Sequence, residues 1–399
     1  MDLYLQFGWG MKSNTIELAK KWGEATVILS PRDISPSSLE KWSKEFEKNN
    51  VKTLFDPQCY YPKDSHKGLN KYQYHSLTTY TDLGNGSADE ELLLKKIKYY
   101  NNIAKTTQYI IPGIMCDNID DKWFDKHQNL IDKSVDIMND KERIMTIALP
   151  QNALMFNNEI TEKIIQKTES WNVDGYYIVS EHPEHKYLVE NAVWMSNLLD
   201  LCAGLKLQKR KVILGYASHQ FLCCATTKID AIASGSWLNV RIFKNKFTDE
   251  NEEIKRKKTW YYYPQALSEY KLTFLDLAFN KSILNKFKPD SNIDDEYAEI
   301  LFNGALPTTT SFNETYAFKH YLHSLKMQIK HLEKETYKET IAAQEILLET
   351  AERNIEFNRK NGIYAQDRDF KDCIDINRAA INILDANRGF VLNQIWKEL

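Results

Sequence analysis

Eight short runs of apolar, β-branched and aromatic residues punctuate the first part of the chain, at 3–7, 26–29, 53–55, 109–111, 144–149, 175–179, 212–214 and 231–233. They show little alternation of apolar and polar positions, which is how strands buried on both faces read. Between them lie helical patterns at 38–48, 90–103, 123–138, 159–171 and 191–207. Pro36-Ser37-Ser38 and Asp89-Glu90-Glu91 are helix-start signals. Alternating strands and helices imply a parallel sheet with right-handed crossovers. Eight such repeats favour an α/β fold closed into a (β/α)8 TIM barrel; a doubly wound open sheet is the alternative.

The barrel is expected to occupy 1–243 and to close near Ile242. A basic and aromatic extension, 244–312, is expected to pack on it. Within that extension, the segment from Trp260 to Tyr270 reads as a loop entering a helix, and Pro307 to Ser311 as a linker. Helical patterns resume at 314–331, 333–358 and 367–396, with Lys360-Asn361-Gly362 as a helix stop. The region 313–399 is therefore read as a C-terminal helical hairpin, with a packing role or a homodimer contact.

The 399 residues accommodate one barrel of about 250 residues plus this extension. A net charge of −3 announces no polyanionic partner, although a local basic patch can still bind one. The six cysteines form no Cys-x-x-Cys pair, which fits a reducing compartment. The chain opens directly as a strand and has no apolar run of about 18 residues, so no leader or membrane contact is expected and a cytoplasmic location is. Dinucleotide, phosphate-loop and nucleophile-elbow motifs are absent, so no cofactor is expected. The Glu181-His182 and Glu184-His185 pairs lack metal-ligand spacing and read as a solvated loop, so no metal is expected.

Barrel chemistry sits at the C-terminal ends of the strands. There, Asp56 directly ends the third run and is followed by a proline. A carboxylate so placed faces the mouth, where it can act as acid, base or nucleophile; the alternative is a loop-fixing or helix-capping Asp. Asp117 and Glu181 follow other strands, and several carboxylates around one cavity suit an oxocarbenium-like state. The amides Gln58, Gln151, Gln220 and Asn239, with Gln6 in the first run, suit the edge of a base or a sugar hydroxyl; each could instead tie down a loop. Arg32, Tyr60, His219 and Trp237 complete the candidate substrate contacts, His219 more readily as a structural residue. Arg241, Lys244, Lys246 and Arg256 lie among Phe243, Phe247 and Trp260, a mixture that suits a phosphate backbone with stacked bases. Asp249, Glu250, Glu252 and Glu253 interrupt that run and favour a solvated loop.

Over residues 1–243 the chain resembles the tRNA-guanine transglycosylase superfamily, barrels that exchange a base by cleaving an N-glycosidic bond. Asp56 stands where that family's motif Asp-Ser-Gly-Gly-Phe-Gln begins, with Tyr60 near the base-stacking aromatic. Asp117 matches the family's base-reading Asp, and the stretch from Leu214-Gly215-Tyr216 through Asp230 to Arg241 is similar in spacing. Two features depart. Ser234, Gly235 and Ser236 stand where the family has its nucleophilic Asp, and the Cys and His zinc set after the barrel is missing. The resemblance thus implies hydrolysis rather than exchange: a glycosylase acting on a modified base in DNA, as in anti-phage defence. The target nucleotide would be flipped into the mouth, with Asp56 as the catalytic carboxylate. Two rivals stand beside it. One is a glycoside hydrolase on free carbohydrate; the other is a non-catalytic binding scaffold, which a mouth plugged by side chains would favour.

Overall fold

A computed structural model describes residues 1–60, 66–75, 83–84, 88–244, 258–293 and 295–399. Eight parallel strands form one sheet: β1 (Asp2–Gln6), β2 (Ala25–Leu29), β3 (Val51–Phe55), β4 (Tyr109–Ile111), β5 (Arg143–Leu149), β6 (Gly175–Ser180), β7 (Lys211–Leu214) and β8 (Ala231–Ser234). Their order is β3-β2-β1-β8-β7-β6-β5-β4, with β1 paired to β8 from Asp2↔Ala231 to Leu5↔Ser234. Between the two ends of that order, the Thr107 amide donates to Thr53 O at 3.0 Å and Thr53 Oγ1 donates to Ala104 O at 2.8 Å. The sheet is thus a nearly closed barrel, and the fold is a (β/α)8 TIM barrel with a C-terminal helical extension.

Six helices follow the first six strands: α1 (Lys12–Trp22), α2 (Pro36–Lys48), α3 (Ala88–Ala104), α4 (Asp121–Ile137), α5 (Glu159–Thr168) and α6 (Ala192–Leu207). The alternating side chains of the strands divide the core in two. Ile28, Leu54, Ile110, Ile144, Tyr177, Ile213 and Ala233 fill the barrel interior. Leu3, Leu5, Val27, Ile111, Ile147, Ile178 and Ile232 pack outward against the helices.

The extension departs from expectation. The aromatic segment is not a loop entering a helix. Trp260–Tyr263 (β9) and Ser268–Lys271 (β10) form an antiparallel hairpin, with Tyr262 opposite Glu269. The turn between them contains Pro264 and a left-handed Leu267. Pairing of two short aromatic strands with each other is a tertiary preference that helical spacing does not reveal. The helix follows only at α7 (Leu272–Asn280). Pro307 lies in a short 3-10 turn, and the Thr308 hydroxyl and amide bond Asp276 at 2.6 and 3.0 Å.

Three tail helices follow: α8 (Glu314–Leu332), α9 (Tyr337–Lys360) and α10 (Lys371–Ile395). Asn313 and Thr336 cap the first two through their side chains. The first of them completes the barrel. Helix α8 packs against β1 and α1, where an eighth barrel helix belongs, with Trp22 Nε1 donating to His323 Nδ1 at 3.0 Å and Lys319 paired to Glu17. The β7–β8 connection is only a 3-10 stretch, His219–Thr227, and α8, α9 and α10 pack over it. Helix α10 also covers α6, which explains why α6 is apolar on nearly every face. Arg388 clamps that contact with two bonds of 2.7 Å to the carboxylate of Asp200. The outer face of α10 leaves Phe390 exposed. Among the described residues no helix is long and apolar enough to cross a membrane.

Candidate active site

Period-two alternation decides which strand-end side chains face the barrel interior. Tyr4, Leu54 and Val179 belong to the interior cluster. The next inward positions are therefore Gln6, Asp56 and Glu181, and all three are buried.

Asp56 is 1 % exposed. Its Oδ1 accepts from the Gln58 amide at 2.9 Å and from the Tyr60 hydroxyl at 3.0 Å. Its Oδ2 accepts from the same Tyr60 hydroxyl at 2.9 Å and from the Tyr216 hydroxyl at 3.3 Å. Gln58 extends the network. Its Nε2 donates to Ser30 Oγ at 2.8 Å and to the Tyr216 oxygen at 3.2 Å, while its Oε1 accepts from the Arg32 amide at 3.0 Å. Nearby, the Tyr177 hydroxyl donates to Gln6 Oε1 at 3.0 Å. Burial, and after it the charge of Asp56, pushes the hydroxyls of Tyr60, Tyr177 and Tyr216 well above the usual phenol range, so all three remain protonated donors.

The backbone is strained at this network. Gln58 and Tyr216 both have φ of 54°, in the left-handed region that non-glycine residues rarely adopt. Such positions cost about 1–3 kcal/mol each and collect at functional sites. Gly215 sits beside them because a Cβ there would fall 2.5 Å from the Tyr177 hydroxyl. Two buried groups in the neighbourhood, Gln6 Nε2 and Arg32 Nη1, lack a hydrogen-bond partner among the described residues. Phe243 belongs to the same interior cluster, and its ring meets Tyr60 at 5.1 Å and Tyr216 at 5.0 Å. A backbone bridge between Phe243 and Glu181 holds this segment against β6.

The structure brings Asp56, Gln58, Tyr60, Gln6 and Arg32 into one neighbourhood. Other expected residues lie elsewhere. Asp117 is exposed, and its backbone oxygen accepts from Asn152 at 3.2 Å. Gln151 Oε1 accepts from the Glu184 amide at 3.0 Å. Gln220 is fully buried and its amide bonds both backbone groups of Val189 and the side chain of Asn377 on α10. His219 is also fully buried, among Tyr187, Tyr262, Tyr321 and Phe370, and burial lowers its pKa to about 4. His182, in the loop weighed for metal, is buried against Trp194 and Phe221. Asn239 is half-buried, its Oδ1 without a partner among the described residues. Trp237 Nε1 donates to Trp9 O at 2.9 Å on the rim.

Of the expected phosphate contacts, Lys246 and Arg256 lie outside the described residues, and Lys244 is half-buried. Arg241 is 3 % exposed. It donates to Gly235 O at 2.7 Å and Ser236 O at 2.8 Å, stacks on Tyr321 at 3.4 Å, and pairs with Glu269 at 3.5 Å. Its guanidinium therefore faces protein rather than solvent.

Sequence reasoning missed Glu269 and Arg368. Glu269 accepts from Arg368 Nη1 at 2.7 Å and from the Tyr187 hydroxyl at 2.8 Å. Burial alone would raise its carboxyl, but Arg368, Arg241 and His219 outweigh that and hold it at about 2. No local pattern marks this cluster, because its members come from the barrel, the hairpin and the α9–α10 connection. Tyr177 and Tyr216 were legible in principle: alternation places Tyr177 on the same face as Val179.

No family model matches the chain, and no curated protein is similar to it in sequence. Among solved structures, the "Crystal structure of a putative deoxyribose-phosphate aldolase from Coccidioides immitis" is similar at 9 % identity, covering 61 % of this chain and 83 % of that one. The TM-score is 0.36, and this likeness carries no argument about chemistry.

Proposed function

We infer that the barrel is an enzyme that hydrolyses an N-glycosidic bond of a nucleotide in DNA, with Asp56 as the catalytic carboxylate. The observation that carries this reading is a buried strand-end carboxylate inside a ring of protonated tyrosines and amides, anchored by two strained backbone positions. In a low-dielectric mouth a carboxylate stabilises positive charge on a sugar far better than in water. The C1′–N bond breaks and its electron pair leaves with the base. Water oxygen bonds to C1′ and passes a proton to Asp56, the departing base nitrogen takes a proton from solvent, and Asp56 returns its proton to solvent. Gln6 Nε2 and Arg32 Nη1 are donors for a base or sugar oxygen.

The near-complete burial of Asp56 favours a second reading, in which the barrel is a non-catalytic scaffold and this network only fixes its rim. Incubation of pure protein with modified and unmodified DNA separates the two. The hydrolytic reading expects free base, and at least a hundredfold slower release by Asp56→Asn, the lower end of typical general acid–base contributions of about 10²–10⁴. Release at the wild-type rate by that variant refutes the assignment. Absence of release from every DNA tested favours the scaffold, and cleavage of oligosaccharides alone would mark a carbohydrate hydrolase.

A further inference from the structure

The segment after β8, the β9–β10 hairpin, α8 and the α9–α10 connection line a cavity of about 70 Å3, which the hydrolytic mechanism does not use. Its floor is the Arg241–Glu269–Arg368 cluster. The Arg368 guanidinium carbon sits over the Trp260 indole, 4.0 Å from ring centre, with Nη1 held by Glu269. Its Nε is buried and bonds nothing among the described residues. Ser236, which is 2 % exposed and lines the same cavity, also has a hydroxyl with no partner among the described residues. A guanidinium edge pre-oriented by an ion pair and a stacked indole, with an unsatisfied hydroxyl beside it, is the donor set of an oxyanion site.

Charge and size narrow the ligand. Arg241, Arg368 and Lys258 line the cavity against Glu269 and Glu314, leaving a net charge of +1. That matches a singly charged oxyanion better than a polyphosphate. At about 15 Å3 per water-sized site the cavity holds about five such sites, enough for one phosphate group but not for a base as well. A base attached to that phosphate would lie on the rim, where Trp237 and Phe318 present an edge-to-face pair at 4.6 Å.

We propose that this cavity binds a singly charged phosphate bearing a neighbouring base, held by Arg368 and Ser236 with the base on the Trp237–Phe318 rim. It deepens the nucleic-acid reading of the barrel and rests on it for the source of that phosphate. A phosphate bearing a base is common to a strand phosphodiester, which carries one charge, and a free nucleoside monophosphate, which carries about 1.5–2 at pH 7; the +1 cavity favours the diester. Anisotropy of a fluorescein-labelled ten-residue oligothymidylate on the full chain, with competition by thymidine 5′-monophosphate and by inorganic phosphate, separates the sources. A strand site binds the oligomer more tightly than the mononucleotide; a free-nucleotide site does the reverse.

Ser236→Ala removes a hydroxyl that bonds nothing among the described residues, and is expected to weaken the preferred ligand about fivefold. Arg368→Gln is expected to weaken it tenfold or more and, for the oligomer, to lower the slope of log affinity against log salt by about 0.7. Wild-type affinity in Ser236→Ala overturns the proposal even if Arg368→Gln unfolds. Lack of binding by all three probes also overturns it. Binding is read without turnover, so a failure of Asp56 to release base leaves this result separate.

Discussion

Replacing Glu269 with Gln tests the buried charge cluster that joins barrel and extension. Glu269 touches Arg368 at 2.7 Å, Arg241 at 3.5 Å and the Tyr187 hydroxyl at 2.8 Å, and is buried. Gln keeps an oxygen for Tyr187 but sets an amide against the Arg368 donor and leaves two guanidiniums without their anion. The shift of the carboxyl from 4.5 to about 2 corresponds to about 3 kcal/mol at 1.36 kcal/mol per unit. Breaking a buried pair by removing one partner costs about 3–5 kcal/mol, which agrees. The sign follows from linkage. The folded pKa is depressed, so the contribution is complete above the unfolded value near 4.5 and is lost as pH falls toward about 2. Urea unfolding followed by circular dichroism should show Glu269→Gln less stable by about 3 kcal/mol at pH 7, a midpoint lower by about 1 M at a slope of about 3 kcal/mol per M. That difference should shrink as both proteins are taken from pH 4.5 toward pH 2. Equal midpoints at pH 7, or a difference that stays constant through acid, would refute the reasoning.

Three further outcomes are expected. Phe243→Ala should lose about 3–5 kcal/mol by urea unfolding, because the ring packs on Tyr60 and Tyr216 inside the barrel; a loss under about 1 kcal/mol would show that the mouth is not packed as described. Gly215→Ala should cost about 1–3 kcal/mol by the same measurement, since its Cβ would meet the Tyr177 hydroxyl and push it from Gln6. Burial holds His127, His182 and His219 at about 4, so stability should fall as pH drops from about 6.5 toward 4, by about 3 kcal/mol for each. His127 binds Trp123 O through Nδ1 and accepts the Ile114 amide at Nε2, which only the neutral ring can do; His127→Gln should therefore flatten that limb, and an unchanged pH profile would exclude His127 as a contributor.

Much of the barrel was legible in the chain itself. Each of the eight apolar runs falls on one of the eight strands, because a strand buried on both faces must be apolar over consecutive residues whatever surrounds it. The helices after β2 to β5 were legible for the matching reason, an apolar face at helical spacing, and α6 as an apolar stretch too long for a strand. Helix α1 was passed over: its stretch Lys12–Trp22 is rich in lysine and has only a thin apolar stripe, with α8 completing its cover. The placement of Asp56 was legible too, since a carboxylate that ends a barrel strand on the inward parity faces the mouth.

What the sequence determined by itself is therefore periodic and local: eight strands, most of the helices between them, and an acid at the end of the third strand. Tertiary structure decided everything that depends on pairing between distant segments. It bonded Asp56 to Tyr60 and Tyr216 and packed Phe243 on both rings. It turned Arg241 away from solvent toward Glu269, folded the aromatic segment back on itself, and used α8 as the eighth helix of the barrel. Each outcome rests on complementary charge, shape or hydrogen bonding between residues far apart in the chain, and such complementarity leaves no period for a single sequence to display.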